Sequence, residues 1–306
     1  MRHLKLTTLT VALLCTQIAQ AVNYYGGDGT GQTTAPTDDP GWANVGTRSS
    51  ASGVYLGDYG GSYWVLTANH VGAGTITLNG ISYATTGTSY QLHNDWNTGS
   101  ESLTDLRLFE INSNPGLPTL TISSSAPTSG NSVTMIGNGT TRATSLTYWD
   151  ANWNEVATQG QSTYRGYKLT GSNQMRWATN TVDASLVVTV NSLSVHSIYT
   201  SFNASNGQGQ AAGGDSGGAL FYKNGSTWEL SGIMVGVYTV SGQPGGTSIA
   251  ATVPSTSNAN FTFAADLSYY RDEIMSIITP VPEPYETAAG MGLIVMAAAL
   301  LRRRKA

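Results

Sequence analysis

The sequence predicts an all-β protein closed by a single helix, and three observations carry this. Charged residues make up only 10% of the chain while 36 of its 306 residues are glycine, a mix that suits short strands and polar turns rather than a helical bundle. Apolar residues come in short runs bounded by glycine, serine and threonine. Only near the end does the spacing turn helical, with Leu267, Tyr270, Ile274, Ile277 and Ile278 on one face and Asp266 placed as an N-cap.

In chain order, residues 1–21 read as a secretory signal. Arg2 and Lys5 form the basic start, 9–15 the apolar run, and Ala19-Gln20-Ala21 a small-x-small cleavage site. The one cysteine, Cys15, leaves with that peptide, so the mature protein has no disulfide and relies on the size of its core. Residues 22–41 form a Gly/Thr/Asp-rich extended arm. Its Gly26-Gly27-Asp28-Gly29-Thr30-Gly31 lacks the flanking strand, helix and lysine of a phosphate loop. Asp28, Asp38 and Asp39 do not have the spacing or number to specify a cation.

From Trp42 the pattern becomes strands and turns. Strands are expected at 53–57, 62–67, 75–78, 81–84 and 103–111, with Asn79-Gly80 as a type I′ hairpin turn. A Pro/Ser/Thr/Gly-rich connection over 115–131 marks the crossing between two β units. Strands resume at 132–136, 185–190 and 229–236. The region 143–185, with Trp149, Trp153 and Trp177, resists parsing and suggests an inserted hairpin. After the helix, residues 281–306 form a separate module: Val281-Pro282-Glu283-Pro284, an apolar run over 288–301, and Arg302-Arg303-Arg304-Lys305. That run is short for a full membrane span, which takes about 20 residues.

The formal net charge is −4, and many of the cations sit in the leader and the tail. The body between them is acidic, which opposes nucleic-acid binding.

One stretch carries chemistry: Gly213-Gly214-Asp215-Ser216-Gly217-Gly218. Glycines permit a backbone that gathers N–H groups into a hollow beside an outward hydroxyl, as acyl transfer requires. A serine needs a base, and the base an orienting acid. Mature candidates for the base are His70 at the end of an apolar strand, His93 in a polar, surface-like loop, and His196 in a half-buried strand. For the acid, Asp105 sits among Leu103, Leu106 and Leu108, where a lone carboxylate is costly. Asp95, in a polar loop, is the alternative. No His-x-x-x-His or comparable ligand cluster points to a metal.

Thr67-Ala68-Asn69-His70, Thr104-Asp105-Leu106 and Gly214-Asp215-Ser216-Gly217-Gly218 resemble, in that order, the three signature segments of the chymotrypsin/trypsin-like serine peptidases. Gly137-Asn138-Gly139 is similar to the family's Gly-Trp-Gly segment, and the helix to its terminal helix. The resemblance implies two six-stranded antiparallel barrels, about 42–120 and 130–262, with a helix over 266–279, in a domain spanning 42–280. It implies a His70, Asp105, Ser216 triad, an oxyanion hole from the Gly214 and Ser216 N–H groups, and no cofactor. A specificity pocket would have Gln210 as its floor and Val235, Gly236 and Val237 as a wall. The neutral floor opposes Lys or Arg preference, and Val237 favours small apolar side chains. Val71 stands where the family carries a cysteine, and Met234-Val235-Gly236-Val237 lacks the usual Ser-Trp-Gly. Family members are often activated when a new apolar N-terminus pairs with the aspartate before the serine; signal cleavage would expose Val22 for that role. The tail resembles a PEP-CTERM sorting signal. That implies a Gram-negative cell, transient anchoring in the inner membrane, exosortase as a processing partner and release or surface display; the leader adds signal peptidase as a partner, and the peptidase resemblance implies a protein or peptide substrate.

Overall fold

The computed structural model describes residues 22–204, 207–250 and 259–279. The expected leader and the sorting-signal tail lie outside the described residues. Among those described, no helix is long and apolar enough to cross a membrane.

The chain begins with a short strand, β1 (Asn23–Tyr24), and then builds its first sheet. This sheet contains β2 (Val45–Arg48), β3 (Ala51–Tyr59), β4 (Ser62–Ala68), β5 (Ile76–Leu78), β6 (Ile81–Tyr83), β7 (Thr85–Asn94) and β8 (Ser102–Ile111). All pairings are antiparallel, in the order β6-β5-β2-β3-β4-β8-β7. The β5–β6 turn is the expected one, with Asn79 and Gly80 at φ 48° and 78°. Successive side chains of a strand point to opposite faces, and here both faces are covered. Tyr55, Val65, Phe109 and Ile111 pack in one cluster. Val54, Leu56, Leu66, Leu106 and Leu108 pack in the larger core shared with the second sheet. Double coverage explains why β3 and β4 carry continuous apolar runs.

The second sheet comprises β9 (Ser132–Arg142), β10 (Thr147–Trp149), β11 (Glu155–Val156), β12 (Tyr164–Thr181), β13 (Ala184–Val190) and β14 (Leu193–Ser201), followed after β15 (Gly209–Gln210) by β16 (Ala219–Asn224), β17 (Thr227–Tyr238), β18 (Thr247–Ala250) and β19 (Phe261–Asp266). Its order is β11-β10-β12-β9-β16-β17-β19-β14-β13, with β18 on β12. The two curled antiparallel sheets match the expected pair of barrels, with more strands than six apiece. The excess comes from short hairpins and from β12. Its 18 residues bend at a register shift between Leu169 and Asn173, pairing with β9 along one part and with β10 and β18 along the other. The β10–β11 hairpin is the insertion suspected in 143–185.

Helix α1 (Leu267–Ile278) starts where expected, with Asp266 accepting the Ser268 N–H at 3.0 Å. Leu267, Tyr270, Ile274 and Ile278 enter the shared core. The Tyr270 hydroxyl donates to Asn94 Oδ1 at 2.8 Å and accepts the His196 N–H at 2.9 Å, tying the helix to both sheets. Glu273 corrects one expectation. His93 is not in a polar loop but in β7, where its N–H and Nδ1 meet the two Glu273 carboxylate oxygens at 2.8 and 2.7 Å. It fastens the helix to the first sheet. His196 stacks on Tyr269 with ring centroids 3.7 Å apart.

The N-terminal arm is bound along its length. β1 pairs with β15, and Val22 is fully buried. Two arginines on the second sheet, Arg142 and Arg176, both buried, hold the glycine-rich carbonyls. Arg142 donates to the carbonyls of Tyr24 (2.8 Å), Gly26 and Gly27 (3.3 Å), with its guanidinium 3.8 Å above the Tyr167 ring centroid. Arg176 donates to the carbonyls of Gly29 and Gly31 (3.1 Å). Further along, Asp38 takes Lys223 Nζ at 2.6 Å and Trp228 Nε1 at 2.9 Å. A hydrogen bond from a charged donor contributes about 1.5–3 kcal/mol, and an unpaired buried acceptor is costly. Arg142→Ala is therefore expected to destabilise the fold by about 3 kcal/mol or more, read as a lowered urea midpoint.

Candidate active site

Asp105 lies in the middle of β8 and is 0% exposed. Both its oxygens are used on one residue. Oδ1 accepts the His70 main-chain N–H at 2.9 Å, and Oδ2 meets His70 Nδ1 at 2.7 Å. An ionised carboxylate only accepts, so this contact assigns the proton to Nδ1 and leaves the lone pair on Nε2. His70 follows the end of β4, where Asn69 N–H donates to Asp105 O at 3.1 Å and Arg107 Nε donates to Asn69 Oδ1 at 3.0 Å. The imidazole is 21% exposed: oriented from behind and open in front.

Ser216 sits in a tight loop between β15 and β16 and is half-buried. Ser216 O accepts the Ser52 N–H at 2.9 Å, and Gly217 N–H donates to Met234 O at 2.8 Å. At Gly217 a Cβ would come within 2.1 Å of both Ser52 O and Thr67 Oγ1, so only glycine fits. Thr67 stands three residues before His70. The residue after Ser216 thus rests on the strand that delivers His70, and both segments face one seam between the sheets.

Asp215 is fully buried, with its carboxyl against Gly137 of β9. Its N–H donates to Ala212 O at 3.0 Å, and its Oδ2 accepts the Ala212 N–H at 2.8 Å. Burial drives its pKa well above the usual carboxylate range, with the N–H groups of Ala212, Val22 and Gly139 acting in the opposite direction. Its Oδ1 is buried without a well-formed hydrogen bond. A Cβ at Gly137 would lie 2.2 Å from that oxygen, which explains the glycine opening the Gly137-Asn138-Gly139 segment. The arm and this carboxyl meet at Val22.

At the expected pocket, Gln210 is buried in β15 opposite Asn23, and its Oε1 accepts Ser248 Oγ at 2.8 Å. Val235 is buried in the core, while Gly236 and Val237 are partly exposed. Val237 faces Thr262 across the β17–β19 register, and Thr262 Oγ1 accepts the Ala211 N–H at 2.8 Å. Asp95 holds the Tyr269 hydroxyl at 2.7 Å. Among the described residues no cluster of three His, Cys, Asp or Glu could hold a metal.

Sequence reasoning missed Ser52, Thr262 and Glu273. Ser52 is a small polar residue entering an apolar run and carries no signature. Glu273 was legible as the lone carboxylate among the buried positions of the helix, but its partner is 180 residues away in sequence.

A family model described as a trypsin-like peptidase domain matches residues 51–233. Among solved structures, the chain is similar to a mutant of human heparin binding protein, at 14% identity, covering 83% of this chain and 99% of that one, with a TM-score of 0.49. It is also similar to a serine-to-alanine mutant of Rv3671c from M. tuberculosis H37Rv in its inactive form, at 14% identity, 85% and 100% coverage and a TM-score of 0.45. Neuropsin, a serine protease of mouse brain, matches at 15% identity, 81% and 98% coverage and a TM-score of 0.47. No curated protein matches the chain.

Proposed function

Since the chain belongs to the trypsin-like peptidase family, we propose that it is an exported serine endopeptidase that hydrolyses peptide bonds through an acyl-enzyme on Ser216. The observation that carries this reading is the doubly bonded His70–Asp105 pair, which supplies a free imidazole nitrogen at the seam shared with the Ser216 loop. Ser216 Oγ attacks the substrate carbonyl while His70 Nε2 takes its proton. The Gly214 and Ser216 N–H groups hold the oxyanion. His70 then gives the proton to the leaving amine, and water releases the acyl group by the same route. Asp105 keeps the ring in one tautomer and stabilises the imidazolium. Labelling of the purified protein by a fluorophosphonate, lost in Ser216→Ala, tests the reading. A folded protein that neither labels nor cleaves casein is instead a non-catalytic matrix or surface protein on the same fold.

Activation is part of the proposal. In the full chain Val22 N is an amide. Removal of the leader turns it into an ammonium beside the unpaired Asp215 Oδ1, completing a buried ion pair under the nucleophile loop. Export through signal peptidase, transient anchoring by the PEP-CTERM-like tail and exosortase cleavage near Pro282-Glu283-Pro284 complete the reading. Mass spectrometry of the released protein should find Val22 first and Ala306 missing.

The partly exposed Val237, with Thr262 opposite, favours a narrow pocket over a neutral floor. A peptide library is expected to show cleavage after small apolar residues and none of the Arg or Lys preference of a charged floor. Val237→Gly should raise kcat/KM for a phenylalanine substrate by roughly tenfold or more, since one or a few carbons of pocket volume carry effects of this size.

A further inference from the structure

We propose that Ser52 is the positioning residue of the oxyanion hole: its hydroxyl bridges the two segments whose spacing sets where the Ser216 N–H points. The inference rests on the peptidase reading above and adds a residue to it. Ser52 is the second residue of β3, just after the β2–β3 turn, and is 0% exposed. Each of its polar groups is used. Its N–H donates to Ser216 O at 2.9 Å. Its Oγ donates to Gly214 O at 2.9 Å and accepts the Asn138 N–H at 2.8 Å. Its carbonyl accepts Thr67 Oγ1 at 2.7 Å. One residue of the first sheet therefore binds, through its hydroxyl, the nucleophile loop and the Gly137-Asn138-Gly139 segment of β9 and, through its main-chain carbonyl on Thr67, the strand leading to His70.

The peptide plane converts these bonds into a function. A trans peptide holds its carbonyl and N–H on opposite sides, so gripping carbonyls aims N–H groups. Three consecutive carbonyls of the loop are held. Those of Gly214 and Ser216 are held by Ser52, and that of Asp215 by the Gly218 N–H at 2.7 Å. The Ser216 N–H belongs to the middle peptide. It is turned away from the gripped side and meets no acceptor among the described residues. Backbone N–H bonds could hold the Ser216 and Asp215 carbonyls in any sequence. Among the described residues Gly214 O accepts only the Ser52 hydroxyl, and Gly214 cannot hold its own place by side-chain packing. A Cβ there would lie 2.9–3.1 Å from Gly139 Cα, Ser50 O and Asn138 O. Without the hydroxyl, Gly214 O and Asn138 N–H lose their shared partner, and the peptide at Gly214 is held only by its other end, the Asp215 N–H on Ala212 O.

The test is Ser52→Ala in the purified protein, with Ser52→Thr as the variant that restores the hydroxyl. Loss of one oxyanion donor costs on the order of 10²–10³ in kcat, so loosening rather than removing the hole is expected to lower kcat about 10–100-fold. KM should stay within about twofold. A peptidyl boronate, which needs the oxyanion donors, should weaken in step with kcat, while a product peptide binds as before. A merely structural role would lower the melting temperature and leave the ratio of boronate to product affinity unchanged on the folded fraction. That result, or an unchanged kcat, overturns the proposal. If Ser52→Ala does not fold, the isosteric pair Ser52→Thr and Ser52→Val gives the same comparison, with the slow member expected to be Val. Fluorophosphonate labelling of the parent separates the two readings. An unlabelled parent sinks the peptidase assignment. A labelled parent with an equally fast Ser52→Ala sinks only the role of Ser52.

Discussion

Ser216→Ala is expected to lower kcat/KM by on the order of 10⁴-fold or more, with little change in substrate binding or stability, because the hydroxyl is half-buried and the lost step is bond formation itself. Asp105→Asn should fall nearly as far for a different reason. His70 N–H still needs an acceptor, which the amide oxygen supplies. The amide NH₂ then faces Nδ1, drives the proton to Nε2 and removes the base, a loss of about 10⁴ in related triads. His93 is the internal control. It makes the same two bonds to a carboxylate, yet that carboxylate lies on the terminal helix, which His93 binds to β7. His93→Gln should leave kcat within about threefold while lowering the melting temperature by a few degrees. Steady-state kinetics on a peptide ester with these variants decides the matter. A large loss of kcat in His93→Gln with full activity in His70→Gln would overturn the assignment of the base.

The second large effect is expected at Val22. Blocking leader cleavage, or adding one residue before Val22, should reduce activity by about 10²–10³-fold, since breaking a buried ion pair costs roughly 3–5 kcal/mol. The orphaned Asp215 Oδ1 is the physical reason. A carboxyl whose pKa is raised on folding favours the folded state while it is protonated, so the leader-bearing chain should lose stability as pH climbs through that raised pKa. In the cleaved protein the Val22 ammonium, held charged by the carboxylate beside it, offsets this loss. The gap in melting temperature between cleaved and uncleaved forms should therefore widen from pH 4 to pH 7. Equal melting curves at both pH values, with equal activity, would remove the pairing. Asp215→Asn provides a second check: it should stabilise the uncleaved chain and leave it inactive.

Much of this was legible in one dimension. The β3 and β4 runs, the Asn79-Gly80 turn and the Asp266 cap are local signals, each set by backbone conformation or by burial of a few neighbouring side chains. The Gly-Asp-Ser-Gly-Gly stretch was readable because close approach on every side forbids a Cβ, as the contacts of Gly217 make plain. The region 143–185 was opaque because β12 bends midway and serves two sets of partners, which blurs its period. The arm read as extended, but its anchorage was invisible because its partners are arginines more than a hundred residues away that bind its carbonyls, and carbonyls leave no mark on a sequence.

By itself, then, the sequence determined the β class, the Asp266-capped helix and the glycine-bounded loop that carries Ser216, because each depends on short-range stereochemistry. Tertiary structure alone decided which histidine faces Asp105 and which serves Glu273, that Val22 ends beside Asp215, and that Ser52 spans the seam. Those outcomes turn on distances between segments that are remote along the chain, and such distances are set by how two sheets pack rather than by any neighbouring residue.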